Sequence, residues 1–130
     1  MSLSKPLNRD VRNLILGINP ENLPVQFSTL VIGASVVNLQ TIINALPDNV
    51  KGLINSAQID FESTTASGIA ARYRIDGSLP ASGAGNGIPI VNGDSIILIN
   101  PEYINKFKAI QNGAGTHTCN ITFFIKSGTI

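Results

Sequence analysis

His117 and Cys119 are the chain's single histidine and single cysteine, and they stand two residues apart. On a strand that spacing puts both side chains on one face. There an imidazole could activate a thiol, or the two could supply half a metal site. Neither arrangement completes, because no second His or Cys exists and no cluster of acids stands beside the pair. Free cysteine is commonly buried, so the stretch reads as a strand with one polar and one buried small residue. Asp60 and Glu62 show the same spacing and could do acid–base work, but on the wet face of a strand they read as solvated charges. Gly83, Gly85 and Gly87 alternate with small residues. Their spacing is not that of a phosphate-binding turn, and no amphipathic helix follows. The sequence therefore nominates no catalytic residue, no metal ligand and no cofactor site.

The elements that would carry these residues are short strands between tight turns. Asp76-Gly77 and Asn92-Gly93 are strong turn dipeptides, since Gly and Asn tolerate positive φ. Asp76 and Asp94 are expected to accept backbone N–H bonds in those turns. Val25–Leu39 is dense in β-branched residues around Gly33, which predicts two strands with a bend between them. Leu39–Leu46 fits a helical turn or an extended run, and Pro47-Asp48-Asn49 a turn. In Ser56–Glu62, Ala57, Ile59 and Phe61 share one face and Gln58, Asp60 and Glu62 the other. Ile69–Ile75 predicts a strand with Arg72 and Arg74 on one face. Ser78–Gly87 predicts a long mobile loop, and Ile88–Val91 an edge piece, since Pro89 cannot donate to a ladder. Ser95–Ile99 predicts a strand buried on both faces. Asn100-Pro101-Glu102 predicts a capped helical turn over 101–104, followed by a strand over about 106–111. Thr116–Ile125 predicts the last strand, with Cys119, Ile121 and Phe123 on one face. About eight short strands with regular turn signals predict an all-β fold, a β-sandwich or jelly-roll-like domain over residues 27–130, behind an N-terminal arm over 1–26.

Composition narrows the function. Nine basic and eight acidic residues nearly cancel, and no Lys/Arg cluster appears, so nothing points to nucleic acid. No apolar stretch is long enough for a bilayer-spanning helix, and the start of the chain lacks a secretory pattern. A cytoplasmic origin is expected. One cysteine leaves no intrachain disulfide. Charged residues make up 13% of the chain, about half of the typical share near 25%. A surface with so few charges is poorly guarded against association and predicts that other chains cover part of it.

A resemblance spans roughly residues 56–125. Arg72-Tyr73-Arg74-Ile75-Asp76-Gly77 is followed by Pro80, Gly87-Ile88, Gly93-Asp94, Glu102-Tyr103, Phe107-Lys108-Ala109-Ile110 and Ile121-Thr122-Phe123-Phe124. This series resembles small structural proteins of tailed bacteriophage virions. The resemblance implies a noncatalytic virion component, a capsid decoration (cement) protein or a related neck or fibre module. It implies assembly made in the host cytoplasm, as a homo-oligomer and commonly a homotrimer, with the major capsid protein or other virion proteins as partners and no nucleic acid or membrane. A receptor- or carbohydrate-binding module of a fibre or neck is the alternative, weakened by the absence of Trp and the presence of only two Tyr.

Six residues are candidates for protein interfaces. Leu14, Ile15, Leu16 and Ile18 in the arm pack either on their own domain or on a neighbour. Arg72 and Arg74 either face solvent or pair with carboxylates across an interface, where Arg is enriched.

Overall fold

The computed structural model describes residues 22–126. Eight strands are present among them, β1 (Asn22–Ile32), β2 (Val37–Asn38), β3 (Ile54–Ser63), β4 (Ala71–Arg74), β5 (Ile88–Ile90), β6 (Ser95–Leu98), β7 (Lys108–Gln111) and β8 (His117–Lys126). Three short helices join them, α1 (Gln40–Asn44), α2 (Asp48–Lys51) and α3 (Pro101–Lys106). The fold is all-β. The strands form two four-stranded sheets, ordered β1-β8-β3-β6 and β2-β7-β4-β5, and all their pairings are antiparallel. The pairing is nested, first strand with last and second with seventh, and so inward to β4 with β5.

Alternation builds the core. In β8 every second residue from His117 to Ile125 is buried, and β3 offers Ala57, Ile59 and Phe61 to the same side. Ala71, Ala109 and Ile90 of the second sheet belong to the same apolar cluster. Phe107, at the end of α3, is fully buried and stacks on Tyr73 with ring centroids 5.7 Å apart. Each large apolar side chain so buried contributes roughly 1.5–3 kcal/mol. Helix α3 starts as its sequence dictates, with Asn100 Oδ1 accepting the Tyr103 N–H at 3.0 Å and Pro101 at a position that needs no donor. It runs to Lys106 rather than stopping at 104, and Glu102 meets Lys106 one turn on.

Three expectations need correction. Ser95–Ile99 is not buried on both faces. β6 is an edge strand, and Ile97 and Ile99 are each 65% exposed. Pro47-Asp48-Asn49 is not a simple turn but leads into α2. The loop over 78–87, expected to be mobile, makes hydrogen bonds to Arg72 and Asn112. β1 is also longer than expected, taking in residues 22–26 of the proposed arm. Leu14, Ile15, Leu16 and Ile18 lie outside the described residues. Among the described residues no helix is long and apolar enough to cross a membrane.

Candidate functional site

The outer face of the first sheet is built by the strands that also build the core, because side chains alternate across a pleat. Ladder register lines up Phe27, Thr122, Gln58 and Ile97 in one row, and Thr29, Asn120, Asp60 and Ser95 in the next. Val31, Thr118 and Glu62 follow. The middle of this face is polar and internally bonded. Asp60 accepts the Ser95 hydroxyl at 2.8 Å, and Asn120 donates its amide to the Asp60 carbonyl at 3.3 Å. The two margins are apolar. Phe27 and Val31 on β1 are 61% and 62% exposed, matching the exposure of Ile97 across the sheet. Large side chains this open, on both edges of one face, mark an interaction surface more than isolated apolar residues do.

β1 is also an edge strand. β8 pairs with one side of it, and no described strand pairs with the other. It carries no charged residue. Pro24 and the bulge beside it blunt the start of this edge, while residues 26–32 have neither charge, proline nor bulge to guard them against a second strand.

The outer face of the second sheet is closed by its own chain. Arg72, a candidate interface residue, is only 6% exposed. Its Nε–H goes to Asn112 Oδ1 at 2.9 Å and an Nη1–H to the Gly87 carbonyl at 3.1 Å. Asn112 Oδ1 also accepts the Gly83 N–H at 2.9 Å, and the Asn112 carbonyl accepts the Ser82 hydroxyl at 3.2 Å. Loop 78–87 is thereby drawn over Arg72. Gly87 is needed there, because a Cβ would come within 3.2 Å of the Tyr73 carbonyl and the Arg72 Cβ. Arg74, the other arginine on this face, ion-pairs with Asp76. Those bonds, with the Ser78 N–H on Asp76 Oδ1, hold the Asp76 carboxyl well below its usual range and raise the Arg74 guanidinium. Both arginines are therefore partnered inside the chain. A cavity of about 280 Å³ beside them is lined by Arg74, Ile75, Asp76, Gly85, Gly87 and Ile88.

His117 and Cys119 do share a face, and that face points inward, with both residues 0% exposed. His117 Nε2 lies 3.1 Å from the Gly113 carbonyl and Nδ1 lies 2.8 Å from Ser63 Oγ. A carbonyl only accepts, so in the neutral ring the proton sits on Nε2 and Nδ1 accepts from the serine. Ser63 Oγ in turn accepts the Thr65 N–H at 2.9 Å. The ring stacks on Phe61 at a 13° interplanar angle. This is a serine–histidine hydrogen bond, but its partners are used in closing the ends of β3 and β8. Burial pushes the Cys119 thiol up to about 12. Sequence spacing did not reveal Ser63 or Asn112, because each meets its partner from far along the chain.

Among the described residues no group of three or more His, Cys, Asp or Glu side chains is placed to hold a metal ion. No family model and no characterised protein matches the chain in sequence.

Proposed function

We propose that this chain is a noncatalytic virion structural protein, a capsid decoration (cement) protein that assembles with copies of itself and with the major capsid protein. The observation that carries this reading is the first sheet's outer face, whose apolar margins at Phe27, Val31, Ile97 and Ile99 stand open at 61–65% exposure. The low charged share of 13% points the same way. Contacts made there would stabilise a shell by mass action, since a subunit that binds only the assembled form favours it. The nested strand order supports a jelly roll, an eight-stranded arrangement used in viral capsid domains. The resemblance over residues 56–125 adds to both.

A carbohydrate-binding tip would need exposed aromatic faces. Tyr73 is taken by Phe107, and Phe27 is the large exposed aromatic among the described residues. The native mass measured by light scattering over a range of concentrations tests the reading. A multiple of the 13.7 kDa chain mass is expected. A monomer at every concentration would remove self-assembly and move weight to a monomeric binding module.

A further inference from the structure

We infer that β1 is a self-pairing edge, on which a second copy of the chain adds its own β1 antiparallel about a two-fold axis at Thr29, joining two first sheets into one eight-stranded sheet. This rests on the self-assembly proposed above and names the surface.

Among the described residues, the open side of β1 is an unfilled row of backbone donors and acceptors. Its length selects the occupant. β1 has 11 residues, while the other edge strands β2, β5 and β6 have two, three and four. Among the described edges, only another β1 can fill the row. Charge permits it, because β1 holds no charged side chain and two copies meet without like charges opposed. Register follows from the bulge. Pairing with β8 slips between Pro24 and Gln26 and is regular from Gln26 to Ile32. The middle of that regular stretch is Thr29.

Pairing about Thr29 sets Phe27 opposite Val31 of the partner subunit, and the reverse on the other side of the axis. Aromatic and β-branched side chains make favourable cross-strand pairs. The two large apolar residues left open on β1 would then cover each other. A two-fold contact is isologous and closes by itself, so it gives dimers or even-numbered assemblies rather than the lone homotrimer that the resemblance implies.

The test uses two double variants at exposed positions. Phe27→Lys with Val31→Lys sets lysine against lysine across the axis, whereas Phe27→Lys with Val31→Glu sets lysine against glutamate. Both place charges at the same sites, so any effect on folding, followed by circular dichroism, strikes both. Sedimentation velocity is expected to show a dimer-based mass for the unsubstituted chain, a loss of at least about tenfold in association for the double lysine variant, and recovery in the lysine–glutamate variant. An oligomer unaffected by either variant would overturn edge pairing while leaving self-assembly standing. It would put another occupant on the edge, such as the chain's own residues 1–21. Equal dissociation of both variants would overturn the Thr29 register, and a monomeric unsubstituted chain would overturn both proposals.

Discussion

Arg72 and Asn112 meet at 2.9 Å, guanidinium Nε–H to amide oxygen, although 40 residues separate them in the chain. The arginine is buried, has no carboxylate partner among the described residues, and is satisfied by Asn112 Oδ1 and the Gly87 carbonyl. Asn112 also anchors Gly83 and Ser82, so one amide fixes both the cation and the loop over it. Asn112→Ala is expected to cost about 1.5–3 kcal/mol, the range for a hydrogen bond to a charged group. It should open residues 78–87 to proteolysis. Urea unfolding and limited digestion measure the two effects. A stable variant with an uncut loop would show that the amide does not hold it.

Ser63 and His117 form a second long-range link. Ser63→Ala removes the donor to a buried ring nitrogen and the acceptor of the Thr65 N–H. The expected loss is about 1–3 kcal/mol. Nitrogen NMR should find Nε2 protonated and Nδ1 bare in the neutral ring of the native protein. The opposite tautomer would contradict the assigned bond to the Gly113 carbonyl.

Cys119 should be inert. At pH 8 a thiol reagent is expected to modify the native protein roughly 1000-fold more slowly than the unfolded chain, because the buried thiol stays protonated. Its folded pKa is raised from the ordinary 9.0 to about 12. The folded state therefore holds the proton more tightly, and the associated stability is whole below pH 9 and declines between pH 9 and 12. Cys119→Ala should show a shallower fall of stability over that window. Identical slopes would remove the thiol's share.

Much of the local structure is legible in the chain. Asp76-Gly77 and Asn92-Gly93 announce turns, and Gly77 and Gly93 adopt φ of 86° and 91°. Asp76 and Asp94 accept turn N–H groups as expected, from Ser78 and Val91. The alternation of β3 and β8 assigns the inward face correctly. The apolar run of β6 misleads, because a continuous hydrophobic stretch does not say whether one face or both will be covered. Its edge position leaves Ile97 open. Arg72 misleads for a related reason. Strand alternation puts it opposite Tyr73, away from the core, but a loop that local pattern marks only as Gly- and Ser-rich is folded over it. The apolar margins of the first sheet were equally hidden, since Phe27 and Val31 look like core residues until the register is known.

On the proposed edge pairing, copies of the chain meet on the open side of the first sheet. Amide hydrogen exchange of the peptide covering residues 26–32, compared between dilute and concentrated protein, tests it most directly. Alternate amides of an unpaired edge face solvent and exchange quickly. Exchange in this peptide is expected to slow as concentration rises, with the buried strand β8 unchanged. Exchange in residues 26–32 that is the same at both concentrations, while the mass shows an oligomer, would place the contact elsewhere and overturn edge pairing.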